Sequence, residues 1–532
     1  MPGDEAQRLT LAEPAPGALG MGRSRLLGAL AVIAWLAFAI GLHPLRLPEE
    51  GRYVGVAWEM LRSGDWIVPT ENGLPFFHKP PLFYWITAAS MKVFGVNEWA
   101  ARAAPLLAAL TGAAVLFVTS RRWTGARRAW RAVAILVTMP VFFGAAQYAN
   151  LDLLVATCIA VAICLAGDAV LRLRAGERYF NRVVAAWTAA ALGVLAKGLI
   201  GVALPGAVIV VWLVITGQGR SVLRLLSPVG ITVFVVIAAP WFIAMQERFP
   251  GFAHFFFVYQ HFERFAADGF NNVQPFWFYV VLVPLATLPW SPWLMDSCWR
   301  ARDGEAAAVT LWRRLMWTAV VVVLLFFSIP QSKPPGYALP VLFPLAWLIA
   351  DAFTGRLQAR GTPSRRRVRV TAMACLGIAV ATCLSTVGWA HFAYRKDNTA
   401  VGEALRRLRG PGEPVLFLRE YFFDVPLHAR LTEPAYVASD WRDANLAKRD
   451  NWRRELAEAA RFDPDLAQRV LVDEAGGLAK RCAATPLWVV VKADAESSLE
   501  ALPGATRAAA ANGVSLWRIP AGGCGDARGP TS

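Results

Sequence analysis

Two neighbouring carboxylates stand where an apolar segment gives way to polar sequence. Glu49 and Glu50 follow the first long apolar stretch, and Arg52 comes directly after them. They begin a segment, 51–63, with apolar residues at helical spacing, so both acids should lie near a helix N-terminus, where negative charge is favoured. Such a carboxylate can act as a general base towards a hydroxyl, or orient groups around an anion. An ordinary solvated acidic pair is the alternative.

Basic residues recur at the borders of apolar segments, in loops that we expect on the same face of the membrane as this acidic pair. They are Lys79, Lys197, Arg264 and Lys333. A phosphate leaving group needs positive charge where negative charge develops, and these residues could supply it. Lys197 lies between two apolar segments, where a lysine is costly unless it has a partner. The alternatives are that Lys197 extends to the lipid headgroups, and that Arg264 and Lys333 are surface cations on loops.

Two histidines and nearby acids raise the question of a metal. His78 and His261, with Glu263 or one of the 49–50 carboxylates, could hold a divalent cation such as zinc, magnesium or manganese. The alternative is that both histidines hydrogen-bond to lipid phosphate or to the backbone. The spacing of these residues leaves both interpretations open.

The composition indicates that much of the chain is in a membrane. Of the 532 residues 56% are hydrophobic and 17% are charged, whereas soluble domains carry about 25% charged residues. Apolar blocks of about 20 residues are long enough to cross a bilayer as helices. The predicted spans are 25–43, 100–119, 131–148, 151–171, 183–196, 199–217, 226–245, 275–296, 314–330, 336–353 and 370–391. The eleven could become thirteen if 81–95 or another short piece also crosses; otherwise 51–63 and 81–95 should lie along the membrane interface.

The arginines are concentrated in alternate loops. The loops are 121–131, 172–182, 220–224, 300–314 and 356–369, all on one side of an eleven-helix arrangement. Positively charged loops are typical of the cytoplasmic side, so we expect a cytoplasmic N-terminus and an external C-terminus. The net charge of +16 is explained by these loops, and no nucleic-acid-binding motif accompanies it.

From residue 392 onwards the composition becomes that of a soluble domain. We therefore expect a membrane domain over 1–391, including outer loops 44–99 and 246–274, and an α/β domain over 392–532. Strands are expected at 414–419, 487–492 and 514–518, and a helix within 446–471. Cys482 and Cys524 could form a disulfide outside the cytoplasm or remain two free thiols.

Several short motifs, taken in order, resemble a known enzyme family. The sequence resembles bacterial lipid-dependent glycosyltransferases of the protein O-mannosyltransferase and aminoarabinose transferase group. The resemblance lies in the acidic pair within Glu49-Glu50-Gly51-Arg52-Tyr53 and in segments 64–69 and 75–85. Further matches are 148–152, 195–198 with Pro205, Pro240-Trp241, 250–252, 261–265, 274–277, 288–290, and Ser332-Lys333 with Tyr337. Together they cover roughly 44–340.

The resemblance implies an all-α membrane protein of the GT-C fold with a C-terminal soluble α/β domain. It also implies transfer of an aminoarabinose- or mannose-like sugar from polyprenyl phosphate to lipid A, a protein or another glycan at the periplasmic face of a bacterial inner membrane. The residues that it assigns to the donor phosphate are Lys79, Lys197, Arg264, Lys333 and Tyr337. It places Tyr53, Tyr84 and Asp152 in the acceptor or sugar pocket, and Glu49, Glu50 and Arg52 in catalysis.

Two positions depart from the family pattern. The catalytic acid is usually Asp, whereas Glu49 and Glu50 stand here side by side, so either could act. His78 occupies a position that is often Glu in the aminoarabinose transferases. A transporter or flippase of a lipid-linked saccharide is the alternative function, but no internal repeat is present and the polar groups cluster on one side.

Overall fold

The computed structural model describes residues 21–263, 272–297, 302, 304–358, 365–394, 396–446, 451–474, 482 and 484–524. The chain divides into two compact units. We call Met1–Leu42, Arg102–Ile243 and Asn272–Ala390 the helical unit. We call His43–Ala101, Ala244–Asn271 and His391–Ser532 the sheet unit.

The helical unit consists of apolar helices joined by short turns. Its α-helices are Met21–Ala37, Ala103–Thr124, Ala126–Thr138, Pro140–Ala146, Leu151–Arg174, Phe180–Lys197, Ile200–Ile215, Ser221–Leu225, Pro228–Arg248, Phe278–Ala286, Ala307–Ser328, Leu339–Gln358 and Arg365–Phe392, with 3-10 helices at Ser291–Asp296 and Pro335–Ala338. Pro228–Arg248 continues into the sheet unit. Each predicted span coincides with helix in this series, so the expectation of a helical, multi-span membrane protein is confirmed.

Not every predicted span passes a test of length and apolarity. In the described part of the chain, six helices are long and apolar enough to cross a membrane. A seventh is obtained if Ala126–Thr138 and Pro140–Ala146, which are bent by 69° at their junction, form one span. The other predicted spans correspond to shorter or less apolar helices, so the number eleven stays a prediction.

The helices differ in how much of their surface is covered by protein. Leu151–Arg174 is apolar on all sides and 94% of its most apolar stretch is buried, which makes it the centre of the helical unit. By contrast, 22% of the corresponding stretch is buried in Pro228–Arg248, and 11% in Arg365–Phe392. These two helices are apolar but exposed, as is expected of helices that face lipid acyl chains.

The sheet unit contains a two-stranded hairpin and a six-stranded mixed sheet. Its strands are β1 (Thr70–Glu71), β2 (Leu74–Pro75), β3 (Val415–Leu418), β4 (Tyr436–Ala438), β5 (Leu471–Val472), β6 (Leu487–Lys492), β7 (Thr506–Ala511) and β8 (Val514–Ile519). The large sheet has the strand order β5-β4-β3-β6-β8-β7. Strands β5, β4, β3 and β6 are parallel to one another, and β8 runs antiparallel to both of its neighbours, β6 and β7. The expected strands correspond to β3, β6 and β8. The others are very short or alanine-rich, which is why their patterns predict no strand.

Helices surround this sheet, and the outer loops fold with it. The α-helices are Glu49–Ser63, Leu82–Phe94, Glu98–Ala101, Thr399–Leu408, Val425–His428, Trp452–Ala459, Pro464–Val470 and Ser497–Glu500, with a π-helix at His254–Glu263 and a 3-10 helix at Ala493–Ala495. The helical spacing predicted in 446–471 corresponds to two helices of the described residues, and Asp463 starts the second by accepting a hydrogen bond from the Leu466 N–H. Segments 44–99 and 246–274 were expected in the membrane domain, whereas most of both lies in the sheet unit.

Cys482 and Cys524 are joined by a disulfide, with their Cα atoms 6.1 Å apart. Both residues are buried in an apolar cluster with Leu416, Leu418 and Trp517. Of the two interpretations that the sequence left open, the structure has the paired one.

Candidate functional site

In the helical unit, Lys197 and Asp152 form an ion pair at the ends of two neighbouring helices. Lys197 is the last residue of Phe180–Lys197, which ends because Gly198 has φ +95°. Asp152 lies in the first turn of Leu151–Arg174, where the Asn150 side chain accepts a hydrogen bond from its N–H at 2.8 Å. The Lys197 ammonium contacts the Asp152 carboxylate and lies 4.5 Å from the centroid of the Tyr337 ring. The sequence placed Asp152 in the sugar pocket; the structure gives it Lys197 as a partner.

The turn that carries Tyr337 is shaped to admit the Asp152 carboxylate. A Cβ atom on Gly336 would overlap Asp152 Oδ2, so a larger residue at this position would displace the Asp152 carboxylate. The preceding turn is held by Tyr279, whose hydroxyl donates to the Pro334 carbonyl at 2.9 Å. The turn therefore brings backbone and an aromatic ring against the ion pair, while Lys197 and Asp152 keep 12% and 22% of their side chains exposed.

Lys333 is buried and its ammonium is directed to backbone carbonyls. It donates to Gln274 at 2.9 Å, to Gln331 at 3.5 Å and to Pro330. An ammonium has three donors, and these contacts use all three. Lys333 therefore fastens the 330–333 turn to the neighbouring segment, and binding of a donor phosphate by this residue stays a prediction.

In the sheet unit, Arg52 joins one of the two predicted catalytic acids to the C-terminal region. Its guanidinium contacts Glu49 at 2.7 Å and Glu455 of the Trp452–Ala459 helix at 2.5 Å. It also lies 4.9 Å from the centroid of the Tyr53 ring. Burial would lower the pKa of Arg52, but the negative charges, Glu455 foremost, more than offset this and raise it.

The structure separates the two adjacent acids. The Glu49 side chain is 40% exposed, whereas Glu50 is completely buried and accepts a hydrogen bond from the Arg46 N–H at 2.8 Å. Neighbours on a helix diverge by about 100°, which is why one points outwards and the other inwards. Of the two carboxylates, Glu49 is therefore the one exposed at the surface.

Arg52 also lines a cavity that contains acids not singled out by the sequence. The cavity is small, with a volume of about 10 Å³, and is lined by Arg52, Gly55, Val56, Glu59, Glu71, Tyr421, Phe423 and Pro426. Glu71 is 4% exposed, and burial, followed by the charge of Glu455, raises its pKa well above the ordinary value. Glu59 follows Val56 by three residues on the buried side of its helix, and this spacing was the available signal for it. Nearby, the predicted pocket residues Tyr53 and Tyr84 have ring centroids 6.5 Å apart.

His78 binds a carboxylate from the C-terminal region. Its Nε2 lies 2.8 Å from Glu458 Oε2, and both side chains are almost fully buried. Lys79 follows it and is half-buried. His261 and Glu263 belong to the π-helix, but their side chains, like the whole of Arg264, lie outside the described residues. Within the described residues no group of three His, Cys, Asp or Glu residues could hold a metal ion, so the metal site stays a prediction.

Comparison with known proteins relates these groups to a family. Residues 78–243 match the family model described as dolichyl-phosphate-mannose-protein mannosyltransferase. The undecaprenyl phosphate-alpha-4-amino-4-deoxy-L-arabinose arabinosyl transferase of Aeromonas salmonicida (strain A449) is 33% identical over 382 residues, which is 68% of this chain and 66% of the relative. The protein of the same name from Serratia proteamaculans (strain 568) is 33% identical over 60% of this chain and 58% of the relative. The chain thus spans roughly three fifths to two thirds of the length of these relatives.

A solved structure extends the likeness to nearly the whole chain. ArnT from Cupriavidus metallidurans, bound to undecaprenyl phosphate, has a TM-score of 0.77 and 23% identity, covering 97% of this chain and all of that one. At this identity the match shows the fold alone, and it confirms the expected GT-C architecture. Residues 78–243 thus match the dolichyl-phosphate-mannose-protein mannosyltransferase model, about two thirds of the chain is similar to an aminoarabinose transferase, and the chain has the ArnT fold.

Proposed function

We propose that this protein is a membrane glycosyltransferase that takes a sugar from a polyprenyl-phosphate donor. The observation that carries the proposal is the Lys197 ammonium, held between the Asp152 carboxylate and the Tyr337 ring at the end of an apolar helix. A cation at the end of an apolar helix suits a ligand that has a lipid tail and an anionic head. The homology to transferases whose names contain undecaprenyl phosphate supports the same donor class.

The chemistry assigned to Lys197 is stabilisation of the leaving group. During transfer an acceptor oxygen forms a bond to the anomeric carbon of the sugar, and the bond from that carbon to the phosphate oxygen breaks. The bonding electron pair leaves with the phosphate, whose negative charge increases. A pre-positioned ammonium stabilises that charge more than it stabilises the intact donor, which lowers the barrier.

Glu49 is assigned to the acceptor. If the acceptor is a hydroxyl, this carboxylate accepts its proton as the new glycosidic bond forms. If the acceptor is an already ionised phosphate, no base is needed and Glu49 orients groups instead. The exposed Glu49 side chain is held by Arg52, which fixes its direction.

The sugar, acceptor and orientation follow as finer parts of the proposal. The names of the relatives favour 4-amino-4-deoxy-arabinose as the sugar; lipid A is the acceptor we propose, with protein and glycan acceptors as alternatives. The arginine-rich loops favour an orientation in a bacterial inner membrane in which these loops are cytoplasmic and the site is on the periplasmic side. The Cys482–Cys524 disulfide supports an oxidising compartment for the sheet unit, as in the periplasm.

Replacement of Lys197 tests the proposal. Purified protein in nanodiscs is supplied with undecaprenyl-phosphate aminoarabinose and lipid A, and the product is measured by mass spectrometry. We expect Lys197→Ala to lower the transfer rate by about 10²–10³, the usual effect of losing one group that stabilises transition-state charge.

The matched control for that experiment is Lys492→Ala, which removes an exposed lysine paired with Glu420 on the sheet. It should transfer at the wild-type rate. Wild-type transfer by folded Lys197→Ala would contradict the role of Lys197. Absence of any sugar transfer by the wild-type protein, together with movement of the donor across the membrane when the protein is reconstituted in closed vesicles, would favour a flippase.

The two acids give a second test, in which each is changed to its amide. We expect Glu49→Gln to lower transfer to a hydroxyl acceptor by about 10²–10⁴, the contribution of a general base. Glu50→Gln should instead mainly lower the melting temperature, because the buried Glu50 accepts the Arg46 N–H. The measurement is the initial transfer rate together with thermal unfolding in the same detergent. A slow Glu50→Gln beside a normal Glu49→Gln would reverse the assignment.

A further inference from the structure

Glu458 lies at the centre of a buried hydrogen-bond network in the sheet unit. Its side chain is 5% exposed, and one carboxylate oxygen faces His78 Nε2 at 2.8 Å. The other oxygen accepts hydrogen bonds from the Tyr259 hydroxyl and from Arg454 Nε, both at 2.8 Å. Arg454 in turn donates to the Tyr259 hydroxyl at 2.8 Å, which closes the network.

The network joins segments far apart in the sequence. Glu458 and Arg454 belong to the Trp452–Ala459 helix, His78 precedes Lys79, and Tyr259 belongs to the His254–Glu263 π-helix. One carboxylate from the C-terminal region thus holds both the loop of a predicted phosphate-binding lysine and a segment that precedes Arg264.

Aromatic packing around the network already holds these segments together. The Phe77 and Phe462 ring centroids are 4.5 Å apart, and Phe255 lies 5.4 Å from Phe462 and 5.8 Å from the His78 ring. Apolar contacts have little directionality, so they do not fix the orientation of the imidazole. A charge-assisted hydrogen bond does fix it, and it is stronger in an environment that excludes water.

The carboxylate is well suited to stay ionised. Burial alone would raise the pKa of Glu458, but the hydrogen bond and charge of His78, followed by the hydrogen bonds from Arg454 and Tyr259, outweigh it and lower the pKa to about 2. Glu458 therefore remains a charged acceptor throughout the pH range in which the enzyme would work.

Lys79 follows His78 directly, in a part of the chain whose backbone is restricted. Lys79 precedes Pro80, and a residue before proline is restricted to extended conformations. Pro81 follows, immediately before the Leu82–Phe94 helix. Because the chain is stiff on this side, fixing His78 leaves little freedom for the Lys79 backbone.

We propose that Glu458 is a positioning residue that aims Lys79 at the donor phosphate by holding His78. The inference rests on the proposed function for the identity of the donor, and adds that the C-terminal region takes part in donor binding. In this role Glu458 acts through His78, to which it is bound.

The test compares variants for binding and for turnover. In Glu458→Gln the shape is kept but the charge is lost, and in Tyr259→Phe a donor to Glu458 is lost while the ring packed on Phe255 is retained. Undecaprenyl phosphate is titrated into each protein in nanodiscs to obtain Kd, and transfer assays give KM for the donor and kcat. We expect Glu458→Gln to raise Kd and donor KM about 10-fold, the usual effect of losing a hydrogen bond to a charged group, with kcat within about threefold of wild type. Tyr259→Phe should change both in the same direction by less.

Glu474→Ala is the matched control, because Glu474 forms a partly exposed ion pair with Arg419 in the same unit. It should leave Kd and donor KM unchanged. Wild-type Kd and KM in both Glu458→Gln and Tyr259→Phe would overturn the proposal, as would a change in melting temperature alone. If the wild-type protein binds undecaprenyl phosphate and Glu458→Gln weakens it, the inference holds even when no transfer is detected; that result would count against the proposed function only.

Discussion

The helices Leu151–Arg174 and Phe180–Lys197 carry ion pairs at both ends, and the two ends differ in kind. At one end Asp168 contacts Arg172 at 2.9 Å and Arg182 at 3.1 Å, and accepts the Trp123 indole N–H at 2.8 Å. Its side chain is 2% exposed. At the other end Asp152 pairs with Lys197, and 22% of the Asp152 side chain remains exposed. One end is closed by several partners, and the other leaves its charges accessible.

The same contrast occurs along Leu339–Gln358. The turn before its start carries Tyr337, which contacts Lys197. Near its end Asp351 is fully buried between Arg313 at 2.7 Å and Arg128 at 2.8 Å, and Arg313 also binds Glu305 at 2.6 Å. A buried network with several partners presents no accessible charge to a ligand. A single, partly exposed pair can exchange a contact with protein for a contact with substrate.

Breaking the closed network should give the largest change in stability. Asp351→Ala leaves Arg313 and Arg128 buried without their shared carboxylate. Removal of one partner from a buried ion pair usually costs about 3–5 kcal/mol, so we expect a strong fall in the melting temperature in detergent. The folded fraction should still bind undecaprenyl phosphate with wild-type affinity.

Glu177→Ala serves as the control for this variant, because Glu177 pairs with Arg122 and Arg172 at the same end of the bundle but is partly exposed. An exposed pair contributes about 0–1 kcal/mol, so its melting temperature should barely change. Equal melting temperatures for Asp351→Ala and wild type would show that the buried network is not a stabilising element.

Removing the charge of Asp152, at the end where the ion pair is partly exposed, should have a smaller effect. We expect it to lower activity and to leave stability nearly unchanged. In Asp152→Asn the charge of Asp152 is lost, whereas the contact of the Lys197 ammonium with the Tyr337 ring is kept. We expect transfer to fall roughly 10-fold, about the value of one hydrogen bond to a charged group, with less than about 1 kcal/mol of lost stability. The measurements are the initial transfer rate and the thermal unfolding curve.

A large loss of stability in Asp152→Asn together with an unchanged rate would remove the distinction between the two ends. Glu305→Gln is a useful companion, since it changes a carboxylate at the closed end without altering its shape. It should lower the melting temperature and leave the transfer rate per folded molecule unchanged.

The sequence predicted the parts of this molecule that depend on local pattern. Blocks of apolar residues predicted the helices of the helical unit, and a lysine between two such blocks identified Lys197. The spacing of Tyr53, Val56, Ala57 and Met60 predicted a helix over 51–63, and all four side chains are buried in the structure. These features could be predicted because helix periodicity and membrane thickness constrain residues that are close together in the sequence.

Partners that are distant along the chain were not predictable. Asp152 lies 45 residues before Lys197, and Glu458 lies 380 residues after His78. On its own helix Glu458 resembles an ordinary surface charge four residues from Arg454. Lys333 was expected to face a phosphate, but a single sequence does not reveal that three carbonyls converge on its ammonium.

In the two paired helices, Leu151–Arg174 and Phe180–Lys197, the distances between the two ion pairs are nearly equal. From Asp152 to Asp168 the first helix rises about 24 Å, and from Arg182 to Lys197 the second rises about 22 Å, at about 1.5 Å per residue. Because the two spans match to within about one residue, both ion pairs can form at once in an antiparallel arrangement. A slip of one helical turn, about 5.4 Å, would separate both pairs together. The height of the Lys197 ammonium along the bundle is therefore set in part by Asp168 and Arg182 at the opposite end.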